Sequence, residues 1–133
     1  MKYILYTDGG CRDTYGGWAW VLTKDGKTAI ASDSGSELNT TNNKMELTAI
    51  LNGLQQLCVG DEVKLYSDSQ YALNICFGTW KATTNFELIS AIKETSEGIY
   101  IIPNWVKGHA DNKLNNMCDE LCTKQIEQLK KKI

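Results

Sequence analysis

Four acidic residues of this chain stand where they could act together: Asp8, Glu46, Asp68 and Asp119. Asp8 precedes two glycines, and Glu46 closes the run Thr41-Asn42-Asn43-Lys44-Met45-Glu46. Asp68 precedes Ser69-Gln70, and Asp119 follows Cys118 near the far end. Each has an ordinary structural reading: Asp8 as a turn former, Asp68 as a helix cap, Glu46 and Asp119 as complements to a helix dipole. Brought to one point, four carboxylates repel and raise each other's pKa unless a cation neutralises them. Hard oxygen ligands of that kind suit Mg²⁺ or Mn²⁺ rather than zinc. Two such ions ~3.5–4 Å apart are the usual arrangement for in-line attack on a phosphodiester.

Convergence depends on the elements between these residues. Lys2 to Thr7 is rich in β-branched, aromatic and leucine side chains and reads as a first strand, running into a turn at Asp8-Gly9-Gly10. Trp18–Thr23 and Lys27–Ser32 flank Lys24-Asp25-Gly26 and read as a hairpin, since Asp-Gly accepts positive φ cheaply. From Met45 the period changes to three and four through Ala49, Leu54, Leu57 and Cys58, which predicts an amphipathic helix capped by Thr41-Asn42. Gly60-Asp61 breaks it before a strand from Glu62 to Ser67. A helix follows to about Gly78. Another covers about Asn85 to Ser96, with Phe86, Leu88, Ile89 and Ile92 inward. Ile99 to Val106 reads as a strand, Gly108 to Asn115 as a polar loop, and the remainder as a helix through Met117, Leu121, Cys122, Ile126 and Leu129. This order implies an α/β fold with a mixed sheet, an antiparallel meander first and parallel crossovers after. If the first and fourth strands are parallel neighbours, Asp8 and Asp68 emerge at one carboxyl edge, where open α/β sheets place their sites.

With 133 residues, the chain is expected to form one domain over residues 1–133. Its composition, 42% apolar and 23% charged, excludes a disordered or fibrous chain. No apolar run approaches the ~18–20 residues of a membrane helix, and the first residues reach the Asp8 carboxylate too soon to be expected as a signal peptide. A net charge of −2, with Arg12 the only arginine among fourteen basic residues, disfavours binding nucleic acid by charge alone. The five cysteines are odd in number and form no Cys-x-x-Cys pair; with His109 the only histidine, zinc-finger spacing cannot be built. Free thiols point to a reducing compartment, so the expected location is cytoplasmic and no membrane partner is expected.

Five segments together resemble type 1 ribonuclease H: Tyr6-Thr7-Asp8-Gly9-Gly10, Thr40 to Leu47, Ser67 to Tyr71, Trp105-Val106-Lys107-Gly108-His109, and Cys118-Asp119-Glu120-Leu121. They follow the family's order and span nearly the whole chain. The resemblance implies a ribonuclease H-like fold, a five-stranded mixed sheet with helices on both faces. It implies an endonuclease that hydrolyses the RNA strand of RNA–DNA hybrids and leaves 5′-phosphate and 3′-hydroxyl ends. By matched position, Asp8, Glu46, Asp68 and Asp119 hold two Mg²⁺ ions, with Mn²⁺ as the alternative. His109 takes a role in proton shuttling or product release. Asn42, Asn43 and Gln70 match contacts in the hybrid's minor groove, where amides pair with base edges and the 2′-hydroxyl. Thr41 and Asn85 match a pocket for a DNA-strand phosphate, and Trp80 an aromatic that packs on deoxyribose. Helix capping is the competing reading of Asn42 and Asn43.

Three departures from that family are visible. The loop after Asp8, Cys11 to Gly17, is short; Asn39 stands where a basic residue is expected; and only Gly78 to Thr84 joins two central helices, where many relatives insert a basic protrusion. The resemblance is therefore to compact members, for which a monomer is expected and a partner or fused domain would supply substrate affinity. Two other readings stay open on sequence alone: a domain that binds hybrid or duplex RNA without cutting it, and an interaction domain on the same fold.

Overall fold

Alternation along the first strand decides what lies on each side of the sheet. In the computed structural model, which describes residues 1–107 and 112–132, β1 (Lys2–Arg12) turns Leu5 to one face and Tyr6 to the other. It pairs antiparallel with β2 (Tyr15–Thr23), which pairs antiparallel with β3 (Ala29–Leu38). Helix α1 (Asn42–Leu54) crosses to β4 (Glu62–Ser67), which lies parallel to β1 on its other side. Helices α2 (Gln70–Phe77) and α3 (Phe86–Thr95) precede β5 (Tyr100–Trp105), parallel to β4, and α4 (Lys113–Lys132) follows. The five strands stand in the order β3-β2-β1-β4-β5. Leu5, Leu65, Leu47, Ile50, Leu54 and Ile92 are buried beneath α1, α2 and α3, while Tyr6, Ala19, Val21, Cys118, Cys122 and Ile126 are buried beneath α4. The chain therefore has the expected mixed sheet with helices on both faces.

Several local expectations are corrected. Asp8-Gly9-Gly10 is not a turn: β1 continues through it to Arg12, with Asp8 opposite Ala19 and Gly10 opposite Gly17. The reversal comes instead at Asp13-Thr14, where both residues have positive φ (51° and 70°), the geometry of a tight twisted hairpin. Ladder pairing along β2 thus overrides the local turn signal. β3 extends past Ser32 through a polar run, because β2 supplies a full ladder and the Trp18 ring covers Gly35; a Cβ there would stand 2.4 Å from Trp18 Cζ2.

Helix α1 begins three residues before Met45, where Thr41 Oγ1 accepts the Lys44 amide, and it stops at Leu54. Leu57 and Cys58 therefore lie beyond the helix; the Cys58 amide donates to Asp61 Oδ2 in the following turn. Phe86 is 60% exposed rather than inward, because Ile89 and Ile92 fill the α3 contact. α4 starts within the expected loop: Asn112 Oδ1 accepts the amides of Leu114 and Asn115 and caps it at Lys113. Among the described residues, no helix is long and apolar enough to cross a membrane.

Candidate active site

The Tyr6–Tyr66 pair is the last in the parallel ladder between β1 and β4, and Asp8 and Asp68 each stand two residues beyond it. Strand pairing alone therefore brings them to the same level. Glu46 reaches them from α1 because the helix backbone passes directly over Gly9: a Cβ at that glycine would lie 2.3 Å from the Met45 carbonyl carbon and 2.4 Å from the Glu46 nitrogen. Asp8, Glu46 and Asp68 can each offer an oxygen such that all three lie within 4.8 Å of one another. Asp119 comes from α4, on the opposite side of the sheet from α1, and its carboxylate is close enough to Asp8 to raise the Asp8 carboxyl. Asp8, Asp68 and Asp119 line a cleft of about 240 Å³ together with Asn42, Cys11 and Arg12.

Burial makes this cluster costly without a counter-ion. The Asp8 carboxyl is pushed up to about 8, first by desolvation, then by the charge of Asp68 and by Asp119, against an opposing bond from the Gly9 amide. Glu46 is 8% exposed and its carboxyl is raised well above the usual range, by burial first and then by Asp68 and Asp8. Glu46 Oε1 is buried with no hydrogen-bond partner among the described residues. A buried glutamate with an orphaned oxygen, grouped with two other carboxylates, fits a hard divalent cation: the donors are all oxygen, and the charge deficit has the right sign. The nearby thiols do not alter this donor set. Cys118 Sγ donates to the carbonyls of Tyr6 and Ala19, Cys122 Sγ donates to Gly17, and burial pushes both thiols up.

The remaining sequence-predicted residues spread from this centre. Asn42 lines the cleft, and Asn43 is exposed beside it at the start of α1. Gln70 is exposed at the first position of α2, two residues after Asp68. Thr41 is engaged as the α1 cap. Asn85 precedes α3 in a left-handed conformation (φ 58°) and its side chain accepts no capping bond; its Nδ2 donates to Tyr71 Oη at 3.3 Å. It lines a larger groove of about 690 Å³ with Lys44, Glu37 and Thr48, where Lys44 pairs with Glu37 at 2.8 Å. Trp80 is 50% exposed on the α2–α3 connection. His109 lies outside the described residues. Arg12 is among the cleft residues that sequence reasoning missed. Only the full length of β1, which carries the chain past Asp8 in extended form, places it there.

Comparison with known proteins agrees with this geometry. The sequence profile of the family described as RNase H matches residues 1–127. A Ribonuclease H from a Thermoanaerobacter species is 41% identical, over 93% of this chain and 89% of its own length. The Ribonuclease H of Campylobacter concisus is 36% identical, over 98% and 96%. Among solved structures, an N-terminal RNase H domain from Mycobacterium tuberculosis is similar in fold, with a TM-score of 0.87 at 21% identity, covering 98% of this chain and 97% of that one. The match in sequence over nearly the full length, on a sheet that gathers acids from β1, α1 and the link after β4, places this chain in the RNase H family.

Proposed function

We propose that this chain is an endonuclease that hydrolyses the RNA strand of RNA–DNA hybrids, leaving 5′-phosphate and 3′-hydroxyl ends. The observation that carries the reading is the set of three carboxylates with oxygens within 4.8 Å, one of them holding a buried, unpartnered oxygen. Asp8, Glu46 and Asp68, with Asp119 beside Asp8, are the residues that would hold two Mg²⁺ ions, or Mn²⁺. When bound, such ions supply Lewis acidity toward both the attacking and the leaving oxygen of a phosphodiester displacement.

The chain's own residues bind and orient the hybrid around that centre. Asn42 lines the cleft, and Asn43 and Gln70 are exposed at the first turns of α1 and α2; their amides are able to donate to base edges and to pair with the RNA 2′-hydroxyl, which is what separates RNA from DNA. Asn85 and Thr41 hold the DNA strand through a phosphate, and the exposed Trp80 ring packs on a deoxyribose. His109 moves a proton or assists product release. The enzyme works in the cytoplasm as a monomer, with a partner or fused domain adding the substrate affinity that a chain of net charge −2 does not supply alone.

The test is cleavage of a labelled RNA–DNA hybrid beside RNA–RNA and DNA–DNA duplexes, in Mg²⁺ or Mn²⁺, by the wild type and by Asp68→Asn. Hybrid-only cutting that is lost in the variant is the expected result. Hybrid binding without cutting at high enzyme and low salt, with no uptake of metal in a calorimetric titration, would make the protein a binder instead.

A further inference from the structure

We infer that Trp105 is a positioning residue for the Asp68 carboxylate: its indole Nε1–H donates to the Asp68 carbonyl oxygen at 3.0 Å and fixes the peptide from which that carboxylate projects. The inference rests on the proposed role of Asp68 as a metal ligand. Trp105 closes β5 opposite Ser67, yet its ring is 50% exposed, so burial alone does not account for a tryptophan at that position.

Asp68 occupies the single link between two ordered elements. Behind it, Ser67 ends β4 and its carbonyl accepts the Val106 amide at 2.9 Å. Ahead of it, Ser69 caps α2, its hydroxyl accepting from Ala72 and its own amide donating to Ser67 Oγ. The first carbonyl used within α2 is that of Ser69, which accepts from Leu73. The Asp68 carbonyl thus belongs to neither the ladder nor the helix, and the indole N–H supplies its partner. The Asp68 side chain is exposed, so packing does little to hold it, and its direction is set by the peptide beneath it. Groups that orient a metal ligand in this way commonly change metal affinity by about 10–100-fold when removed.

The alternative role for an exposed aromatic beside a nucleic-acid site is stacking on substrate. Trp105→Phe keeps a ring and deletes the donor. Calorimetric titration of the full chain with Mg²⁺ alone should give an affinity weaker than the wild type's by about tenfold or more. Hybrid affinity measured without divalent ion should stay unchanged. Asp68→Asn sets the floor for the Mg²⁺ affinity.

Wild-type Mg²⁺ affinity in Trp105→Phe, with Asp68→Asn clearly weaker, overturns the inference and leaves the ligand reading standing. Equal Mg²⁺ affinity in the wild type and Asp68→Asn overturns the ligand reading and this inference with it. Hybrid affinity that falls while Mg²⁺ affinity holds makes the ring a substrate contact. If the phenylalanine variant does not fold, hydrogen exchange in the wild type decides. Trp80 and Trp105 are equally exposed at 50%, so the Trp105 indole proton must exchange more slowly; equal rates overturn the inference.

Discussion

Replacing Gly9 by alanine should damage the site through the backbone rather than through any lost side chain. The added Cβ would stand 2.3 Å from the Met45 carbonyl carbon, 2.4 Å from the Glu46 nitrogen and 2.6 Å from the Met45 oxygen. Ordinary contact begins near 3.4 Å, so α1 must withdraw by about 1 Å, and no rotamer change relieves a clash with helix backbone. Met45, Leu47, Ile50 and Leu54 are fully buried on that helix, so the shift disturbs the core at a cost of about 1–3 kcal/mol. Glu46 moves with the helix, away from Asp8 and Asp68. A misplacement of about 1 Å in a catalytic constellation can cost about 10²-fold in rate.

Gly10→Ala is the internal reference. Its Cβ would meet Ile126 Cδ1 at 3.8 Å and Cys122 Sγ at 3.9 Å, which is ordinary contact. That variant should remain within about 0.5 kcal/mol of the wild type. Urea unfolding of both variants, with Mg²⁺ calorimetry and hybrid cleavage, would separate them. Equal behaviour of the two, or a Gly9→Ala protein with wild-type stability and Mg²⁺ affinity, would refute the claim that α1 reaches its position through the space this glycine leaves.

Other expectations follow from charge. With the Asp8 carboxyl at about 8 in the metal-free protein and near 3.9 when unfolded, the folded state binds the extra proton between these values. Metal-free stability from this group is therefore full below about pH 4 and lost as pH climbs through about 8, whereas Mg²⁺ affinity rises over that window because metal needs the ionised form. Urea midpoints in chelator and Mg²⁺ calorimetry at pH 5.5 and 8.5 check both slopes, and parallel slopes would contradict the argument. Asp8→Asn removes the repulsion with Asp68, so it should raise the metal-free Tm at pH 8 while abolishing Mg²⁺ binding. With Arg12 the only arginine, hybrid affinity should fall with salt on a log–log slope no steeper than about −4, and a steeper slope in filter binding would show more phosphate contacts than this surface suggests. His109→Ala should lower the steady-state rate more than the single-turnover rate; unchanged rates would remove that residue from the reaction.

The sequence by itself determined the chemistry available and the order of the elements. The motif around Thr41 to Glu46, the Asp68-Ser69-Gln70 run and the change of hydrophobic period at Met45 were legible because caps, amphipathic spacing and carboxylate identity are local properties. The tertiary structure decided proximity. Asp8 and Asp68 share a level because Tyr6 pairs with Tyr66, and Glu46 joins them because a strand with no side chain at Gly9 lets a helix backbone settle on it. The local turn signal at Asp8-Gly9-Gly10 misled for the same reason. Gly9 serves the close approach of α1 rather than a reversal, and the ladder to β2 holds the segment extended until Asp13-Thr14. The exposure of Phe86, the arrival of Arg12 at the cleft and the bond from Trp105 to Asp68 likewise depend on which surfaces meet through space, and spacing along the chain does not encode that.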